Sequence, residues 1–302
     1  MLRSMYAGIS GLKNFQTKLD VIGNNISNVN TYGFKKGRTI FSDLYSQTVS
    51  GASGSTTTRG GVNPKQVGLG SQLAAIDTLH SPGSTQFTGQ TLDLAIEGDG
   101  FFMVVDQDTG IKTNQTFTRA GNFYLDKNGA LVDGNGKYLA GAKATVTGGV
   151  YPDAEGSPTI SKNSTSGELS VSTGATLAAP ITIPNDAQSM SIGNDGKITF
   201  VDAEGKLKYA GQLVMAKFSN PGGLTKSGNN YFIESSNSGV PNLSTGGANG
   251  VGVVKSGSLE MSNVDLSEEF TEMIVAQRGF QANTRIITTS DEILQELVNL
   301  KR

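Results

Sequence analysis

The chain contains no cysteine and a single histidine, His80. The first absence excludes disulfides, thiolate metal sites and thiol catalysis together, and it suits a chain that crosses compartments unfolded without cross-linking. The second means that a His-based triad or a two-His metal site cannot be made within one chain. His80 stands beside Ser81-Pro82-Gly83 and reads as a turn residue. Charge is sparse as well: charged residues are 17% of the chain, below the usual quarter, and the formal net charge is −2. The densest basic run is Lys35-Lys36-Gly37-Arg38, read as a solvated turn, so no electrostatic footprint for nucleic acid is present. No stretch reaches the length of a membrane span, and the N-terminal sequence lacks the continuous apolar core of a cleaved secretory signal.

Enzymatic constellations are missing too. There is no Gly-x-Ser-x-Gly elbow, Walker A sequence or Gly-x-Gly-x-x-Gly fingerprint. Asp126, Asn128, Asp133 and Asn135 depart from EF-hand spacing and are explained more simply by hairpin turns. Of the carboxylates Asp93, Glu97 and Asp99, the first two fall opposite the apolar alternation of Leu92, Leu94 and Ile96, on a solvated face. No catalytic residue, metal ligand or cofactor is expected.

What is present is organised in three textures. Glycine is abundant, 40 residues in 302, about twice the usual share, which favours turns and strands. From the start, apolar residues fall at Leu2, Met5, Ile9, Leu12, Leu19 and Ile26, a heptad seam interrupted at Gln16 and Gly23. A second row at Phe15, Ile22 and Val29 widens it, and Ala7, Gly8 and Gly11 offer close approach to another helix. Asn24, Asn25, Asn28 and Asn30 prefer caps and turns, so this helix should stop near Ser27 to Asn30. At the other end Leu266, Met273, Phe280, Ile287 and Leu294 recur every seven residues, with an adjacent row at Ile286, Ile293 and Leu300. Asp265 is a good N-cap and Glu268, three residues on, completes a capping-box pattern. "SNVN" thus closes one heptad helix and "SNVD" opens another.

Between the helices the tract 46–61 is Gly/Ser/Thr-rich and reads as a linker or extended arm. From about Ser71 the pattern is strand-like, with hairpin signals at Asn128-Gly129 and Asp195-Gly196. Residues 146–180 have too few apolar positions for a core of their own and read as a surface insertion. The expected fold class is α+β: a discontinuous β-rich domain (71–145 with 181–261) and paired, coiled-coil-like terminal helices (1–30 with 262–302), joined by an arm over 31–70. Burying an apolar side chain contributes roughly 1.5 to 3 kcal/mol, so heptad rows of this length call for partner helices.

The segment "NNISNVNTYGFKK" resembles the signature of the flagellar rod and hook axial proteins, carried here by Asn24, Asn25, Asn28, Thr31, Gly33, Phe34 and Lys35. The likeness continues through "LDLAIEGDGFFMV", "FTRAGNFYLDKNGALV" and "GSLEMSNVDLSEEFTEMIVAQRGFQANTRIITTSDEILQEL". It implies a subunit exported by the flagellar type III apparatus without a cleaved signal, polymerising helically into a hollow axle. Terminal helices would form the inner tube and β domains the outer layers. The implied partners are copies of itself and the flagellar rod, hook cap and hook-filament junction proteins, with no nucleic acid and no membrane insertion. Within that family the flexible hook is the expectation, because 146–180 would add an outer knob; the stiff distal rod is the alternative. Outside it stands a β-rich surface adhesin that stops at a small closed oligomer.

Overall fold

A computed structural model describes residues 2–106, 115–144, 146, 151–153, 160–162, 169–171, 175–178 and 180–300. The chain divides into two units, one made of residues 1–29, 36–79 and 264–302, the other of 30–35 and 80–263.

The first unit is built on two helices. Helix α1 runs Leu2–Ser27 and helix α2 runs Leu266–Leu300, 35 residues or about 52 Å at 1.5 Å per residue. Asp265 caps α2 as its sequence position suggests: Oδ1 accepts the backbone N–H of Ser267 at 2.8 Å and of Glu268 at 3.4 Å. Helix α1 ends where the asparagines cluster, with Asn28 Nδ2 donating to the Asn24 carbonyl at 2.9 Å. The helices pack antiparallel. As α1 advances through Gly8, Gly11, Phe15 and Asn25, its partners on α2 retreat through Ile287, Asn283, Gly279 and Glu269.

Beside α1 lies a two-stranded antiparallel ribbon of β1 (Gly37–Asp43) and β4 (Ser71–Thr78), with a register shift between Ile40 and Phe41. Asn25 holds the ribbon's start through two bonds to Gly37, each 2.9 Å, and Asn14 donates to Ser71 Oγ at 2.8 Å. Between those strands, β2 (Ser46–Ser50) and β3 (Lys65–Gly68) form an exposed antiparallel hairpin, with bridges at Ser53–Val62 and Thr56–Arg59 beyond it.

The second unit is β-rich. Its largest sheet centres on Phe101–Val105, flanked by Thr116–Thr118 and Tyr138–Leu139 and also paired with Met215–Lys217. An antiparallel five-stranded sheet runs in the order Ala175–Ala178, Gly141–Ala144, Leu207–Leu213, Lys197–Val201, Ser189–Ile192. Smaller pairs join Val253–Ser256 to Leu94–Glu97 and Ser258–Glu260 to Thr85–Phe87. Both marked turns are hairpins: Gly129 (φ 74°) lies between Phe123–Leu125 and Leu131–Asp133, and Gly196 (φ 79°) between Ser189–Ile192 and Lys197–Val201. The core includes Phe102, Val104, Leu139, Ile181, Ile198 and Leu213, all fully buried, each contributing roughly 1.5 to 3 kcal/mol. Phe102 meets Phe123 edge to face at 5.3 Å.

On the side of Leu92 to Glu97 expected to be wet, Glu97 is exposed and Asp93 half-buried, but Ala95 between them is buried along with Leu94 and Ile96. Alternation marks a half-covered strand, and here the cover reaches the second side only at Ala95. The expected insertion 146–180 falls largely outside the described residues; within it, Ile160–Lys162 pairs with Leu169–Val171, and Ala175–Ala178 adds to the five-stranded sheet.

Candidate functional site

On α2 the face toward α1 mixes small and polar residues with apolar ones. Glu269, Ala276 and Ser290 are buried, and Met273, Gly279, Asn283, Ile287 and Leu294 are half-buried. The backbones come close: a Cβ on Gly279 would lie 2.5 Å from the Phe15 ring, and one on Gly11 would lie 2.9 Å from the Asn283 amide. Lys18 pairs with Glu272 at 2.7 Å, and Asn25 donates to Glu269 at 3.1 Å. Elsewhere on α2 large apolar side chains stay wet: Phe270, Ile274, Val275, Ile286, Ile293, Leu297, Val298 and Leu300 are exposed, several by half or more, and Val275, Ile286, Ile293 and Leu300 share one side of the helix. On α1, Tyr6 and Ile9 are exposed as well.

The heptad residues read from sequence differ in how far they are covered. Leu2 opens α1; Met5, Leu12, Leu19 and Ile26 are half-buried and Ile9 is exposed. On α2, Met273, Ile287 and Leu294 are half-buried, with Ile287 against Gly8, whereas Leu266 and Phe280 are exposed. Phe270, Ile274 and Val275 lie outside the row picked from sequence; the signal for Val275 was its spacing of 11 and 18 residues from Ile286 and Ile293, which puts all three on one side of the helix.

The signature residues build a second site, where the chain enters and leaves the β-rich unit. Gly33 adopts φ 68° and donates its N–H to the Glu260 carbonyl at 2.8 Å. A Cβ there would fall 2.5 Å from the backbone of Arg119 and Ala120. Phe34 is buried, with the Lys226 ammonium 5.1 Å above its ring. The Phe34 N–H closes a turn onto the Thr31 carbonyl at 3.3 Å.

Lys35 is sealed from solvent. Its Nζ donates to Glu260 Oε1 at 2.5 Å and to the Ser81 carbonyl at 2.9 Å. Glu260 Oε1 also accepts the Gly83 N–H at 3.0 Å, and Oε2 accepts Arg119 Nη1 at 3.0 Å. Arg119 Nη2 donates to the Gly98 carbonyl at 2.8 Å. Burial by itself would push the Glu260 carboxyl up, but Arg119 and Lys35 outweigh it and hold it below the usual carboxylate range. Burial, with Arg119 adding to it, pulls the Lys35 ammonium down against the attraction of Glu260.

The basic run is consequently no solvated turn. Lys35 is buried, and Lys36 reaches Glu268 at 2.7 Å within the helical unit. Only the Arg38 side chain is largely wet. A run of charge shows its local sequence, not the carboxylates brought to it from more than 200 residues away. Sequence reasoning missed Glu260 and Arg119 for the same reason. His80 departs from its reading as a plain turn residue: its ring packs edge-on to Phe101 at 5.5 Å and Phe232 at 5.3 Å. Burial first, and then Lys35, Arg119 and Lys226, lower its pKa to about 4.

Among the described residues no group of three or more His, Asp or Glu is placed to hold a metal ion, and no helix is long and apolar enough to cross a membrane.

Three family descriptions match the chain: "Flagella basal body rod protein" over 5–35, "Flagellar hook protein FlgE/F/G D1 domain" over 95–200, and "Flagellar basal body rod FlgEFG protein C-terminal" over 255–300. The flagellar basal-body rod protein FlgG of Bacillus subtilis is 55% identical across the full length of both chains. The chain belongs to the flagellar rod and hook protein family. Other members are similar over the full length of both chains: the flagellar hook protein FlgE of Borreliella burgdorferi at 33% identity and the basal-body rod protein FlgG of the same organism at 34%. This is a family of structural proteins of the flagellum, not of enzymes. The buried triad draws one member from each matched segment: Lys35 from the first, Arg119 from the second and Glu260 from the third.

Proposed function

We propose that the protein is the subunit of a flagellar hook, polymerising helically into a hollow universal joint that carries motor torque to the filament. The observation that carries polymerisation is the apolar row on α2 that α1 leaves uncovered, through Val275, Ile286, Ile293 and Leu300. Exposing such a row on a monomer is costly, and sister helices would bury it. Leu2, Met5, Leu12, Leu19, Ile26, Met273, Ile287 and Leu294 would then set the shape of each helix pair, with Ile9, Leu266 and Phe280 joining the face between copies. Placement in the hook is supported by full-length likeness to hook proteins and by the extra strands of residues 146–180 on the β-rich body. Rod, hook cap and junction proteins and the export apparatus are the proposed partners, and the proposed location is outside the cell, reached without a cleaved signal.

The distal rod is the second reading, favoured by the 55% identity to a protein named as a rod subunit. Immunogold labelling of isolated hook–basal bodies separates the two. Label along the curved segment outside the envelope supports the hook; label confined to the straight shaft within the envelope assigns the rod. Protein that never enters the flagellum overturns both.

A further inference from the structure

We infer that the Lys35–Glu260–Arg119 triad is a load-bearing pin, through which force arriving along the chain ends is delivered into the β-rich body. Its physiological purpose rests on the axial-subunit reading; its mechanics do not.

The chain passes between the two units at residues 29/30, 35/36, 79/80 and 263/264. Within the β-rich unit, the three stretches adjoining these four crossings are fastened to one carboxylate. The incoming stretch 30–35 is held by Lys35 on Glu260 Oε1 and by the Gly33 N–H on the Glu260 carbonyl. The stretch after residue 80 is held by the Gly83 N–H on Oε1 and by the Ser81 carbonyl on Lys35. The outgoing stretch carries Glu260 itself, and Asn263 Nδ2 bonds Ser81 Oγ at 3.0 Å. Arg119 then ties Oε2 to the Ile96 and Gly98 carbonyls of the sheet.

Position and chemistry both suit load. Side chains that are 0%, 1% and 2% exposed for Lys35, Glu260 and Arg119 are shielded from water that would otherwise compete for each bond as it stretches. Charge-assisted bonds are about twice as strong as neutral ones. Two cations facing one carboxylate is a poor choice for equilibrium stability alone, since apolar side chains of similar volume commonly do as well. It is a good choice where separate stretches of chain must not peel apart one at a time.

The experiment is single-molecule pulling on the full chain. Because the protein has no cysteine of its own, handles can be attached at Asn30→Cys and Val240→Cys, both exposed. Lys35→Met is expected to shorten the lifetime of the folded body at a fixed load about tenfold or more, the factor for one lost strong interaction. Lys208→Met, which removes the 2.8 Å pair to Asp153 in the same unit, is the control and should leave that lifetime unchanged. A Lys35→Met/Arg119→Met/Glu260→Met variant removes every buried charge at once; it should melt near the wild-type temperature yet share the shortened lifetime under load. Wild-type lifetimes in either Met variant overturn the pin, as does an equal loss in Lys208→Met. Failure of the wild-type protein to enter flagella would instead remove the axial reading and leave the pulling result standing.

Discussion

Lys35 Nζ and Glu260 Oε1, 225 residues apart in the chain, meet at 2.5 Å with both side chains shut off from water. The contact joins the residue that closes the N-terminal signature to the one that precedes the C-terminal helix. Breaking it from one side leaves a buried charge without its partner. Lys35→Met or Glu260→Gln should destabilise the β-rich body by about 3 to 5 kcal/mol in chemical denaturation. A loss below about 1 kcal/mol would show that water reaches the site.

The same carboxylate gives a pH dependence whose sign is fixed. Glu260 has its pKa lowered on folding, so its contribution is fully present above the unfolded value near 4.3 and is lost as pH falls through the folded one. Melting temperature should drop on acidification below about pH 4, more steeply in wild type than in Glu260→Gln. Parallel acid branches would count against the assignment.

His80 acts over a different window. Its folded pKa, about 4, lies below its ordinary 6.5, so between those values the unfolded chain binds a proton that the folded one refuses. Stability should therefore fall from pH 6.5 to pH 4, by roughly 2 to 3 kcal/mol in all. His80→Phe keeps an aromatic ring between Phe101 and Phe232 and removes ring nitrogens that lack aligned partners. It should be neutral or stabilising at pH 7 and should flatten the curve over that window.

Three glycines predict a graded series. Gly33→Ala combines a positive φ with backbone 2.5 Å from the new methyl and should prevent folding of the β-rich unit. Gly279→Ala pushes on the Phe15 ring and should part α1 from α2, read as lost helical circular dichroism at a lower temperature. Gly205→Ala, at φ 78° with open space around it, should cost only about 1 kcal/mol of backbone strain.

Neighbouring isoleucines on α2 separate assembly from folding. Ile286 is exposed and Ile287 lies against Gly8. Ile286→Asp should leave monomer stability within about 0.5 kcal/mol and block polymerisation, because the charge would be buried only at the interface. Ile287→Asp should impair both. Electron microscopy of secreted protein, together with melting curves, checks the pair; normal polymers from Ile286→Asp would move the interface elsewhere.

Sequence alone determined the elements whose causes are local. Seven-residue spacing, an Asp265 cap and an asparagine cluster are enough to begin and end two helices, and Asn128-Gly129 is enough to place a hairpin, because hydrogen-bonding reach and backbone sterics act over a few residues. The absence of cysteine and the lone histidine likewise bounded the chemistry before any coordinate. Only the tertiary structure decided which apolar residues lie against α1 and which stay exposed, since rows of the same period differ only in the neighbour that arrives. It alone turned a basic run into a buried ion triad, because the energy of a charge depends on the partner and the water around it, and Glu260 reaches Lys35 through folding and not through spacing.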